Sequence, residues 1–149
     1  MAMDNVRDPY GNYIFKLEID STPVGHLLDV TGLKTEAQVF EIEEGGNHGF
    51  VHKRPGGSRY ENLIFKFATS GSTFLQKWRQ DFLENPYDRE LVKSGSITMC
   101  DNDHQPVRRY HFSSAWPVSW SGPDLDASGS ALSIETLEVA HEGLTISEG

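Results

Sequence analysis

The six histidines are the first residues whose types could support chemistry. His48 and His52 lie four apart, the spacing of a helical metal pair. Gly49 lies between them and Pro55 follows, so the segment is not expected to be helical and the pair offers no workable ligand geometry. His141-Glu142-Gly143-Leu144 resembles the start of a zinc-protease helix, but Thr145 stands where the second histidine is required. No Gly-x-Ser-x-Gly occurs, and Ser128-Gly129-Ser130 follows a turn rather than forming a strand-to-helix elbow. Asp124 and Asp126, a conceivable acid/base pair, fall in a Gly/Pro-rich turn without an evident pocket. The Gly-rich stretches lack a phosphate-loop lysine. Cys100, alone in the chain, sits in the apolar run Ile97-Thr98-Met99-Cys100 and reads as a small buried hydrophobe. The residues therefore argue for neither catalysis, cofactor nor metal.

The elements that hold these residues are mostly strands. The chain has 149 residues, enough for one ordinary domain with its own core, and we expect a single domain over 1–149. Fourteen Gly and seven Pro favour a turn-rich β protein. Tyr13, Phe15, Leu17 and Ile19 alternate with Lys16, Glu18 and Asp20, the period of a half-buried strand. Ser21-Thr22-Pro23 should break it. Lys34 to Glu44 reads as a second strand with apolar residues on both faces, and so with contacts on both sides. Leu63, Phe65 and Phe67 mark a third strand over 62–68.

One helix is expected after Gly71-Ser72. Thr73 and Gln76 fit a capping box, Phe74, Leu75, Trp78 and Phe82 form one apolar stripe, and Asn85-Pro86 ends it. That stripe is expected to be core. Beyond it come a strand over 96–101, a hairpin turn at 102–105 and a returning strand over 107–113. Pro117 should interrupt pairing, Trp116 and Trp120 should share a face, and a last strand should run over 131–140 with a bulge near Thr136. The class is mainly β (α+β), a small antiparallel barrel or sandwich with one packed helix.

Residues 45–60 show no periodicity and carry Lys53, Arg54 and Arg59 without an acid, in a chain whose net charge is −9. Such a stretch predicts a long projecting loop. After Arg109 there are six acids and no Lys or Arg. A basic segment in an acidic chain suggests contacts between copies. Nucleic acid is not an expected ligand at this charge. The N-terminus reads as no signal peptide, and no apolar run approaches the ~20 residues of a membrane helix, so folding in the cytoplasm and no membrane insertion are expected.

Seven stretches, in order along nearly the whole chain, carry a family resemblance. They are Asp8-Pro-Tyr-Gly-Asn-Tyr-Ile-Phe-Lys-Leu-Glu-Ile-Asp20, Val30-Thr-Gly-Leu33, Glu43-Glu-Gly-Gly-Asn47, Lys53-Arg-Pro-Gly56, Ala115-Trp-Pro-Val118, Ser121-Gly-Pro-Asp-Leu125 and Ile134-Glu-Thr-Leu-Glu-Val-Ala-His-Glu-Gly-Leu144. Together they resemble the tail-tube proteins of contractile phages and extracellular contractile injection systems. The resemblance implies a barrel-like subunit that forms hexameric rings, stacked into a tube whose lumen is lined by strands of neighbours. It implies partners: other copies of itself, a contractile sheath, baseplate and spike proteins, and protein cargo in the lumen. Such a particle leaves the cell by lysis or by release. A charge of −9 per subunit implies an acidic or neutral lumen.

Within that reading, the segment 45–60 is expected to dock on the adjacent ring through Asn47, His48, Phe50, Val51, His52, Lys53, Arg54 and Arg59. A baseplate-proximal tube initiator is the nearest alternative. A different class, a β-sandwich carbohydrate-binding module, would use Trp116 and Trp120 as stacking platforms.

Overall fold

The computed structural model describes residues 12–42, 49, 51–70, 72–125, 127–129 and 133–149. Among these residues, ten strands and one helix follow each other: β1 (Ile14–Ile19), β2 (Thr22–Leu27), β3 (Asp29–Thr31), β4 (Thr35–Ile42), β5 (His52–Tyr60), β6 (Leu63–Ala68), α1 (Phe74–Glu84), β7 (Lys93–Cys100), β8 (Pro106–Ser121), β9 (Ile134–Ala140) and β10 (Gly143–Glu148). A 3-10 turn at Arg89–Leu91 links α1 to β7.

Every strand pairing is antiparallel. One sheet runs β2-β1-β7-β8-β9-β6-β3 with β10 also on β8, and β4-β5 form a separate two-stranded ribbon. The expected class, mainly β with one packed helix, is the class observed. The sheet stays open rather than closing into a barrel. Its two end strands, β2 and β3, are successive in the chain, and Leu28 N–H between them donates to Lys66 O at 2.7 Å.

Alternation builds the core. Leu17 and Ile19 on β1, Leu63, Phe65 and Phe67 on β6, Ile97 on β7, Phe112 and Ala115 on β8, and Leu137 and Val139 on β9 meet in one buried cluster. Leu75 and Trp78 of α1 join it, with Phe74 packed at its margin. Trp78 Nε1 also donates to Leu91 O at 2.7 Å, tying the helix to the 3-10 turn. Phe82 is half-buried and stacks on Trp116, centroids 5.2 Å apart.

Several local expectations are corrected. Thr73 makes no side-chain cap. Gln76 Nε2 instead donates to Oε1 of buried Glu135 at 2.8 Å, so the glutamine reaches β9 rather than back to the helix start. The break at Ser21-Thr22-Pro23 is a tight hairpin: Asp20 and Ser21 hold φ of 55° and 63°, as a type I′ turn requires. Pro23 then lies inside β2, which is tolerated because β2 is an edge strand.

Strand β8 is continuous through Pro117, but its pairing to β9 shifts between Pro117 and Ser119. The irregularity expected at Thr136 thus sits on the opposite strand. On β9 the alternation is regular once Glu135, at 3% exposure, is counted as an inward residue. The last strand begins at Ile134, and residues 131 and 132 lie outside the described set. Strand β10 has no counterpart in the sequence reading, although Leu144 and Ile146 alternate with Thr145 and Ser147; the period is short, and Ile146 is 61% exposed.

Candidate assembly surfaces

The sheet and the ribbon follow different rules, and the ribbon holds the predicted site. Residues 52–60 form strand β5, not a loop, and β5 pairs with β4 from Thr35↔Tyr60 to Ile42↔His52. The backbone ladder fixes this ribbon without a core beneath it, so apolar periodicity carried no signal. The register shifts between Ala37 and Val39, where Gln38 faces both Gly56 and Gly57. Glycine suits this bulge, and a Cβ on Gly56 would stand 2.6 Å from Phe40 Cε2.

All eight residues of β4 are exposed, as are Lys53, Arg54 and Arg59 of β5. Val39 is 58% and Phe40 57% exposed, with Ile42 and Val51 also open to solvent. Residues directly opposite share a face. One face therefore carries Phe40, Ile42, Arg54 and His52, and the other Val39, Pro55, Glu41 and Lys53. Among the described residues, the contacts expected on both sides of this strand are absent.

Of the residues predicted to dock, the ribbon brings together His52, Lys53, Arg54 and Arg59, with Val51 at its entry. Asn47, His48 and Phe50 lie outside the described residues. The bases do not stand free of acids: Arg59 lies opposite Glu36 and Lys53 opposite Glu41. Arg54 has Phe40 opposite it instead. At the ribbon's root Lys34 reaches Glu61 at 3.4 Å and Glu36 at 3.9 Å.

His141 is what anchors that root. It is 8% exposed, its Nε2 lies 2.9 Å from Glu61 O, and its Nδ1 lies 3.1 Å from Gly143 O. Its ring packs on Tyr60 and Phe112. The imidazole thus ties β5, β8 and the β9–β10 turn together. Sequence reasoning read this residue only as a failed zinc motif.

Two strand edges of the sheet lie outside its ladder among the described residues. Residues 106–113 of β8 pair with β7 on one side and β10 on the other, giving a five-stranded order β2-β1-β7-β8-β10. Among the described residues, nothing pairs with the outer edges of β2 and β10. The face of this sheet turned away from the core carries Lys16, Glu18, Ser96, Thr98, Arg109, His111, Thr145 and Ser147.

Trp116 and Trp120 do not share a face. The register shift sets Trp116 opposite Ala140 and Trp120 opposite Leu137, residues of opposite parity on β9. Trp116 is occupied by its stack on Phe82. The paired platform of a carbohydrate module is therefore absent. Among the described residues there is no cluster of three or more His, Cys, Asp or Glu placed to hold a metal. Among the described residues, no helix is long and apolar enough to cross a membrane.

The family model of the T4-like virus tail tube protein gp19 matches residues 11–145. A search of curated proteins finds no match. Among solved structures, a chain in the tube-terminating cap of the anti-feeding prophage superposes with a TM-score of 0.80 at 18% identity, covering 97% of this chain and 94% of that one. A chain of the sheath–tube complex of the extracellular contractile injection system PVC gives 0.78 at 18% identity, with the same coverage. Hcp1 from Flavobacterium johnsoniae gives 0.58 at 17% identity, covering 91% and 96%.

Proposed function

The chain belongs to the T4-like virus tail tube family, a structural and non-catalytic one, and from that premise we propose that it forms hexameric rings that stack into the inner tube of a contractile injection particle. The observation that carries this reading is the β4–β5 ribbon. An isolated two-stranded hairpin is marginal in water. This one holds Val39, Phe40 and Ile42 exposed on its two faces. Such a ribbon gains its stability by lying against another copy, and it docks on a neighbouring ring or subunit through the residues from Val51 to Arg54.

Ring closure has its own support. Unpaired edges invite strand addition. Pro23 and Gly25 blunt β2, whereas β10 has no proline or lysine in its six residues. A contact of one edge with a different surface on the next copy closes into a ring around an axis, while stacking along the axis remains open-ended. In this assembly the polar face of β2-β1-β7-β8-β10 lines the lumen and faces protein cargo. A sheath surrounds the tube and a baseplate with its spike stands below. The whole forms in the cytoplasm and works in a phage-tail-like particle.

Negative-stain electron microscopy of the purified protein tests the reading. Rings about one subunit thick, and tubes at higher concentration, are expected. Monodisperse monomers at every concentration and salt would overturn it.

A further inference from the structure

The register of the polar sheet face places its charges in rows. Lys16 pairs with His26 on one side and Thr98 on the other, Thr98 with Arg109, and Arg109 with Ser147. One cross-strand row therefore reads His26, Lys16, Thr98, Arg109, Ser147, with no acid in it. The next row reads Glu18, Ser96, His111, Thr145. Leu17 and Ile19 between them point to the core, so all of these side chains share the opposite face.

Neighbouring strands are ~4.8 Å apart, which puts Lys16 and Arg109 roughly 10 Å apart with a hydroxyl between them. Both are half-exposed, while Thr98 is 6% exposed and sits low between them. His111 Nε2 lies 3.0 Å from Ser147 Oγ, holding the far end of the row. A polar concavity of about 280 Å³ opens beside it, lined among others by Arg109, His111, Ser96 and Glu18. Glu18 and Asp20 gather at the turn end of the face, so the charge is graded: acid at the β1–β2 turn, base across Lys16 and Arg109.

We propose that the row Lys16–Thr98–Arg109–Ser147 is an anion-binding strip that holds carboxylates of an acidic polypeptide passing through the tube. This rests on the reading that the face lines the lumen. Two cations flanking a hydroxyl donor match a carboxylate, which accepts from all three. An extended chain repeats side chains on one face every ~6.8 Å, a spacing the long Lys and Arg side chains can follow. A single exposed contact is weak. Copies repeated around each ring and along the stack turn weak contacts into retention that still permits sliding. The chain's own −9 charge argued for an acidic wall, yet the acids after Arg109 are largely off this row. With Glu18 and Asp20 close by, the face is too sparsely basic to track a phosphate backbone, which leaves acidic polypeptide as the occupant.

The test is fluorescence anisotropy with a labelled decaglutamate peptide at low salt, run on assembled tubes and on dilute free subunits of the full chain. Wild-type tubes should bind it, and Lys16→Gln/Arg109→Gln tubes at least about tenfold more weakly. Lys16→Arg should retain binding, and Lys77→Gln/Arg79→Gln on α1 should change nothing. Equal binding by wild type and the Lys16/Arg109 double variant overturns the strip. Row-dependent binding by free subunits that disappears in intact tubes places the row outside the lumen, which overturns the luminal reading and the cargo assignment. A row-dependent preference for a labelled deoxythymidine decamer over decaglutamate makes the occupant nucleic acid and overturns the polypeptide.

Discussion

The sheet with its helix and the β4–β5 ribbon are built from the same antiparallel ladder, yet they differ in what lies beneath the strands. Under β6 and β9 lies a core in which Leu63, Phe65, Leu137 and Val139 are all fully buried. Under the ribbon lies none of the described residues' core, and every residue of β4 is exposed. The sheet is stabilised by burial within the subunit; on the proposed reading, the ribbon is stabilised by the next subunit. Substitutions in the first should therefore appear in the stability of the free subunit, and those in the second in assembly.

The largest effect is expected at Trp78, which is 3% exposed and bonded to Leu91 O. Trp78→Ala should cost about 3–5 kcal/mol in urea denaturation of the free subunit. An unchanged midpoint would mean that α1 is not part of the same cooperative unit as the sheet. Next is His141, where the two regions join. His141→Leu preserves bulk but leaves Glu61 O and Gly143 O without their ring partner, at about 1–3 kcal/mol. Limited proteolysis should also show faster cleavage around Glu61 in this variant. If the melt shifts while the ribbon root stays protected, the histidine supports the sheet alone.

Gly56 sharpens the contrast. Gly56→Ala forces Phe40 aside, because a Cβ there would stand 2.6 Å from the ring edge. Gln38 also crowds that position, its Cβ 3.0 Å and its backbone O 3.2 Å away, so the subunit melt should fall by about 0.5–1 kcal/mol. If the displaced ring belongs to the proposed docking face, tube length by electron microscopy should fall more than the melt suggests. Tubes of normal length would show that Phe40 is not at an interface.

This contrast also explains which parts were legible in the sequence. Where one face is buried, residue types record it: Leu17 and Ile19 on β1, the three apolar residues of β6 and the stripe of α1 all betrayed their elements by period. Three readings failed for definite physical reasons. Glu135 is a carboxylate buried beneath Gln76, so an inward position looked like an outward one and suggested a slip in β9. The bulge after Pro117 separated Trp116 from Trp120, and a bulge on one strand leaves no mark in simple alternation. Strand β5 shows no apolar period, and so looks like a loop in the sequence, because backbone pairing, not burial, determines it. Of the proposed docking residues, the net charge was legible but not its partners, since Glu41 and Glu36 are far from Lys53 and Arg59 in sequence and opposite them in the ladder.

That last point sets the smallest and most discriminating expectation. Reversing Lys53 and Arg54 to glutamate puts like charges across from Glu41, so weaker stacking could arise inside the ribbon rather than between rings. The exchange Glu41→Lys with Lys53→Glu removes this ambiguity. It keeps an opposite-charge pair at the same cross-strand position and keeps the net charge, while inverting the pattern that the ribbon presents. Exposed pairs are each worth about 0–1 kcal/mol, so the free subunit should melt as the wild type does. If Lys53 meets an acid on a neighbouring ring, the exchange should raise the protein concentration needed for tube formation, most clearly at low salt, where screening is least. If it meets only Glu41, the exchange should assemble as the wild type does at every salt concentration. In that case the docking role passes to the apolar residues of the ribbon alone.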